Sequence, residues 1–189
     1  MYITVAALSV IYTVMIDITP FSRCPYRTPQ VVSEAVAHLL RGKTVCELGC
    51  AEGDNLVFMK RYASSVFGIE IDPKRYRIAE QRGLKISVTD YRTSPIPLAD
   101  VYYFWPNEAE RDTEFLMYKI LANNAFKGII LIGGDTGYSP EPPVVKRCAK
   151  LGQLMEIPFN EGPKKRQSGI FLLAIVDANE ARKRIVQGV

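Results

Sequence analysis

The chain reads as an α/β domain: a mostly parallel sheet of seven strands, covered by helices on both faces and closed at one edge by an antiparallel hairpin. Three observations predict this. Short apolar runs alternate with stretches of helical periodicity along most of the chain. An acidic, glycine-bearing turn, ELGCAEG (Glu47 to Gly53), follows the first of those runs, where a strand would hand over to a helix. The last two apolar runs are separated only by the turn-forming stretch NEGPKKRQS, so they are expected to pair antiparallel. The length of 189 residues, with 48% hydrophobic and 23% charged side chains, fits one domain with a full core.

The elements follow in order. MYITVAALSVIYTVMIDI, Met1 to Ile18, is apolar throughout except for Asp17. A membrane-spanning helix needs about 20 apolar residues, or about 17 at the short end, so this segment sits at that limit. Arg23 and Arg27 follow it and no basic residue precedes it, which would place the remainder in the cytoplasm if it spans. It also lacks the basic start of a secretory leader. The expectation is a membrane anchor or docking segment over residues 1–19 and a membrane-associated domain over 20–189. The alternative is a soluble cytoplasmic chain with the segment packed on the domain or on a partner chain.

A proline-rich connector, TPFSRCPYRTPQ, comes next. Thr28-Pro29 reads as a helix cap and first-turn proline, and Val31, Val32, Ala35, Val36, Leu39 and Leu40 repeat at helical spacing up to Leu40. Strands are expected at Thr44–Leu48, Val66–Ile71, Lys85–Thr89, Val101–Phe104, Gly128–Ile132, Leu154–Pro158 and Gly169–Val176. Helices are expected at Asp54–Ala63, Pro73–Arg82, Glu108–Asn123, Pro142–Leu151 and Glu180–Val186, with Gly83 as a helix stop.

Composition narrows the function. A net charge of +4 is too small to argue for nucleic acid, and none is expected as a partner. Cys24, Cys46, Cys50 and Cys148 form no C-x-x-C pair, so they read as free thiols of a reducing compartment. His38 is the only histidine and falls on a helix, so neither histidine catalysis nor a histidine metal site is expected.

The turn itself carries the chemistry. Gly49 and Gly53 permit tight turning and close approach of a ligand. In a dinucleotide fingerprint, G-x-G-x-x-G, the second and third glycines would stand where this chain has Ala51 and Asp54. No Gly-Lys-Ser/Thr of a phosphate loop is present. What remains is an acid, Glu47, at the end of a strand, which suits the cationic end of a ligand rather than a phosphate.

ELGCAEG resembles the first motif of the class I S-adenosylmethionine-dependent methyltransferases. The resemblance covers roughly Gln30 to Val176 and implies a Rossmann-like methyltransferase fold with S-adenosyl-L-methionine as cofactor. It implies that Glu47, Gly49, Cys50, Ala51 and Gly53 wrap the methionine part, with the acid near its ammonium. Glu70, in VFGIEID, would accept from the two ribose hydroxyls, with Ile71 beside it. Asp90, ending SVTD, would meet the adenine amino group, and Tyr91 the adenine ring. NAD-binding folds also place an acid like Glu70, so that residue alone does not discriminate. By register, Asp72 reads as the cap of the helix that begins at Pro73.

The acceptor is expected at the end of the fourth strand, in DVYYFWPNEAE. The (D/N)-P-P-(Y/F) motif is missing there, and Phe104, Trp105, Pro106 and Asn107 stand in its place. An aromatic wall holds a cationic amine by cation–π attraction, so Trp105 and Asn107 are the expected catalytic residues. Asp135 and Tyr138, in GGDTGYSP, form a second rim. The apolar start, the connector ending TPQVV and the minimal domain also resemble the small membrane-associated protein-lysine methyltransferases, although FWPN and GGDTGY match no diagnostic motif of that group. The expected partner is therefore an amine-bearing substrate, a protein lysine among the choices. The alternatives are a small metabolite or lipid acceptor and a non-enzymatic S-adenosylmethionine-binding subunit that docks a partner through its N-terminus.

Overall fold

A computed structural model of the chain describes residue 28 and residues 30–105, 110–135, 142–160 and 168–188. The apolar segment 1–18, Asn107 and Tyr138 lie outside the described residues. Among the described residues, no helix is long and apolar enough to cross a membrane.

The elements run α1 (Gln30–Ala35), α2 (Ala37–Leu40), β1 (Thr44–Leu48), α3 (Asp54–Met59), β2 (Ser65–Glu70), α4 (Pro73–Gln81), β3 (Lys85–Val88), β4 (Val101–Phe104), α5 (Glu110–Ala122), β5 (Ile129–Asp135), α6 (Pro142–Ala149), β6 (Gln153–Asn160), β7 (Ser168–Asp177) and α7 (Ala178–Val186). The strands form one sheet in the order β3-β2-β1-β4-β5-β7-β6. β1 pairs in parallel with both β2 and β4, while β7 is antiparallel to β5 and β6. The topology is the one expected, closing hairpin included.

The expected first helix is split. Val36 leaves helical geometry (φ −97°, ψ 3°) and separates α1 from α2. Val32, Val36 and Leu40 nevertheless all bury, because the break keeps their shared face on the sheet. Asp72 caps α4 as read from the sequence, its carboxylate accepting from Lys74 N at 2.8 Å. β5, β6 and β7 run longer than expected, because the antiparallel ladder continues past the apolar residues on backbone pairing alone.

Alternation along the strands builds two cores. Val45, Val101, Tyr103 and Leu131 face α1 to α4, whereas Cys46, Tyr102, Phe104 and Ile132 face α5 to α7. The second layer is secured by α7. Arg182 donates to the carbonyls of Leu121, Asn123 and Phe126 at 2.9 Å, just past α5, and Arg184 donates to those of Lys150 and Gly152, past α6. A guanidinium at these positions satisfies several helix-end carbonyls at once. Arg182→Ala should therefore cost about 2–4 kcal/mol in chemical denaturation, since charged hydrogen bonds are each worth about 1.5–3 kcal/mol.

Candidate active site

β1 and β4 are neighbours, and the chain departs from them to opposite sides of the sheet. In open α/β sheets this switch point is where ligands bind, beyond the carboxyl ends of the strands. The ELGCAEG turn leaves β1 at that place. Its conformation needs the residues it has: Gly49 has φ +75° and Gly53 φ +78°, and Ala51 enters the left-handed region at φ +49°. Gly53 has a second constraint, because a Cβ there would stand 2.3 Å from Leu84 Cδ1. The turn is sewn to β2 by Gly49 N and Cys50 N, both donating to Ile69 O at 2.8 and 3.0 Å.

Glu47 is 3% exposed. Its Oε1 accepts from Asn55 Nδ2 at 2.6 Å, while its Oε2 is buried and has no partner among the described residues. Burial pushes the carboxyl up to about 8. The Asn55 hydrogen bond pulls against that shift, and the neighbouring Asp54 and Glu70 add to it. Two acids therefore neighbour a buried carboxyl with one oxygen that has no partner among the described residues.

Glu70, buried at the end of β2, does two things. Its Oε2 accepts from Ala51 N at 2.7 Å, and its Oε1 accepts from Ile71 N and Asp72 N, each at 2.8 Å. It thereby holds the turn against β2. A carboxylate offers about four acceptor positions, so Glu70 keeps acceptor capacity on Oε2 beyond these three bonds. Ile71 is 56% exposed, and Val88 is exposed at the neighbouring strand end, so an apolar shelf lies beside Glu70. Such a shelf fits the face of a flat base.

Asp90 and Tyr91 follow β3. The Asp90 carboxylate is gripped by Arg92, with Arg92 Nη2 at 2.9 Å from Oδ2 and Arg92 N at 2.9 Å from Oδ1, which holds its pKa below the ordinary carboxylate value. Tyr91 stands over the turn, its Cε1 only 3.8 Å from the place of a Gly49 Cβ. The loop carrying both is clamped by Lys119 of α5, whose ammonium donates to the carbonyls of Tyr91, Arg92 and Ser94 at 2.7, 2.9 and 2.8 Å. Nothing in the sequence marks Lys119, because its role depends on three carbonyls from a distant loop. Lys119→Met should loosen this loop, read as faster amide hydrogen exchange over residues 91–94.

Two expected residues have their side chains elsewhere. The Cys50 thiol is buried against β2, 2.4 Å from where a Gly68 Cβ would sit, so only its backbone can face a ligand. Burial also raises the Cys50 thiol well above its ordinary value, as it does for Cys46 and Cys148. Thr28, read as a helix cap, instead pairs its hydroxyl with that of Tyr103 and donates its N–H to Asn55 Oδ1 at 2.8 Å. Neither this contact nor Asn55 itself stood out in the sequence. Trp105 follows β4 directly, half-buried and edge-on to Phe171 with centroids 5.2 Å apart and planes at 73°. A cleft of about 520 Å³ opens at the amino ends of the central strands, among Lys43, Asp100, Lys127 and Asp177, away from the turn. Its acids are already engaged: Asp100 accepts from Thr44 N and Asp177 caps α7.

The strand order, the antiparallel closing hairpin and the acid-bearing turn at the switch point are the architecture of the class I S-adenosylmethionine-dependent methyltransferases. Solved structures bear out that fold. Magnesium protoporphyrin IX methyltransferase from Synechocystis PCC 6803, solved with S-adenosylmethionine bound, matches with a TM-score of 0.58 over 78% of this chain and 79% of its own, at 12% identity. The N-methyltransferase NodS from Bradyrhizobium japonicum WM9 matches at 0.58 over 78% and 94%, at 14% identity. An rRNA methylase from Streptococcus thermophilus matches at 0.54 over 80% and 98%, at 13% identity. No family model matches the chain, and no curated protein matches it in sequence.

Proposed function

We propose that the chain is an S-adenosylmethionine-dependent methyltransferase acting on an amine acceptor. The observation that carries this reading is Glu47: a buried carboxyl, one oxygen of which has no partner among the described residues, at the switch point of a sheet with the methyltransferase strand order, beside a turn unsuited to phosphate. Glu47 would take the ligand's ammonium and Glu70 a ribose hydroxyl. Ile71, Val88 and Tyr91 would flank the adenine. Asp90 would meet the adenine amino group after sharing its bonds with Arg92. When bound, the cofactor supplies a methyl group already activated by its sulfonium. The chain's own task is then to align the acceptor lone pair, exclude water and let the amine proton leave.

Trp105 and Asn107 are proposed for the acceptor side, with Trp105 held in orientation by Phe171. Trp105→Ala should lower turnover at least severalfold while leaving cofactor affinity nearly intact, because a cation–π contact is worth about 0.5–2 kcal/mol. Equal loss of both would move the acceptor elsewhere. The deciding experiment for the reading as a whole is titration of the chain with S-adenosylmethionine, S-adenosylhomocysteine and NAD. Binding of the first two and not the third is expected, and preference for NAD would overturn the reading. A methyl-labelled cofactor added to cell extract then shows whether protein, lipid or small molecules take up the label. The apolar segment 1–18 is proposed to bring the domain to a membrane, in which case the full chain needs detergent for extraction and a chain starting near Thr19 does not.

A further inference from the structure

Behind the turn, four side chains from four separate stretches form one buried chain of contacts. Glu47 of β1 is bonded to Asn55 in the first turn of α3, Asn55 to the backbone of Thr28, and Thr28 to Tyr103 of β4. Tyr103 is the strand neighbour of Glu47, so the chain of contacts closes on itself. All four residues are buried. The two Asn55 contacts agree on a single orientation of its amide. Turning the amide over would set an N–H donor against the Thr28 N–H, and would set Oδ1 against Glu47, which repels it in the ionised form that binds a cation. The Thr28 N–H therefore decides which end of Asn55 faces Glu47.

We propose that Thr28 and Asn55 are positioning residues for cofactor binding: the Thr28 N–H fixes the Asn55 amide, the amide holds Glu47 through Oε1, and Oε2 is left as the acceptor for the ligand's ammonium. The inference rests on the methyltransferase reading above and makes the connector at residue 28 part of the cofactor site. Oε2, which has no partner among the described residues, is the feature that points to a ligand, since a buried acceptor left unmade is costly.

The charges around Glu47 fix how the arrangement responds to pH. Asp54 on α3 and Glu70 on β2 face it as acids, Asp54 being paired with Arg82 just past α4. Cys50 and Tyr103 face it neutral, and Cys46, its neighbour in β1 on the other face of the sheet, is neutral too, the ionisation of all three suppressed by burial. Glu47 must be ionised to pair with an ammonium, so affinity falls as pH drops through its pKa. The Asn55 bond favours the ionised form, so losing that bond moves this acid limb to higher pH. The ligand's own α-amino group loses its proton only in more alkaline solution, because the adjacent carboxylate stabilises the ammonium, so the acid limb reports on Glu47.

The experiment is calorimetric titration of the full chain with S-adenosylhomocysteine from mildly acidic to mildly alkaline pH. Asn55→Leu should weaken binding about tenfold or more at neutral pH and shift the acid limb upward, with Asn55→Ser moving both in the same direction. Arg182→Ala, which destabilises a distant helix, should leave the acid limb where it is. Parent-like affinity and pH profile in the Asn55 variants overturn the proposal, and so does weakened binding with an unmoved acid limb, the mark of a merely structural residue. If Asn55→Leu does not fold, Asn55→Ser decides by the same criterion. A parent chain that binds no S-adenosylhomocysteine at any pH overturns the methyltransferase reading itself, and the positioning role with it.

Discussion

Glu47→Gln should give a chain that is more stable than the parent in mildly alkaline solution without ligand, yet binds S-adenosylmethionine about a hundredfold more weakly. Both effects come from one group. Burial raises the folded-state pKa of Glu47 to about 8, well above the ordinary carboxyl value of about 4.3. The folded chain thus holds a proton that the unfolded chain has already released. Stability is full below the unfolded value and is lost as pH rises from there through about 8. Between those limits the parent should lose a few kcal/mol, read as a falling midpoint of thermal unfolding. The glutamine variant should lack this slope. Binding moves the other way, because glutamine cannot pair with an ammonium, and a buried charge pair deprived of one member loses about 2–5 kcal/mol. Unfolding midpoints measured with and without ligand across pH check both halves. A parent whose midpoint rises over that range, or a variant that binds like the parent, would remove Glu47 from the role given to it.

The largest loss of stability is expected at the amino ends of the central strands, opposite the turn. A Cβ on Gly128 would lie 1.8 Å from the carbonyl oxygen of Asp100. That carbonyl accepts from Ile129 N at 3.0 Å, Asp100 N donates to Thr44 O, and Gly128 O accepts from Ala178 N. One methyl group would therefore press apart the starts of β1, β4, β5 and α7 together. Backbone cannot yield as a side-chain tip can, so Gly128→Ala should cost about 3 kcal/mol or more. Gly42 has positive φ but nothing within 4 Å of its Cβ position, so Gly42→Ala should cost only about 1–2 kcal/mol for its backbone conformation. Denaturant titration of the two variants gives the comparison.

What could be read from the sequence divides by the range of the interaction. Thr44–Leu48 and Val101–Phe104 were expected at their observed limits, because a buried parallel strand is written as a continuous apolar run. Glu47, Gly49, Gly53 and Glu70 stood out because turn geometry and strand-end acids are local features. Asn55, Thr28 and Lys119 did not, since each acts on partners distant in sequence and belongs to a common residue type. The pairing of Asp90 with Arg92 is local, yet it was missed because an acid at a strand end suggests a ligand sooner than a neighbour two residues on. The break at Val36 also escaped, since the apolar spacing runs through it unchanged.

The order of strands has a consequence for synthesis. β6 pairs with β7 alone, and β7 is also the strand that covers the open side of β5. As the chain leaves the ribosome, β6 emerges with no edge to join, and β5 exposes its backbone and its Ile130, Leu131 and Ile132 side chains. Neither is relieved until residue 177 has been made. The half of the sheet that carries the ELGCAEG turn (β1 to β4) can assemble earlier, leaving a nascent intermediate with one sticky border. Slow translation between Ile129 and Asp177 should therefore raise aggregation, or dependence on a chaperone, far more than slow translation before it.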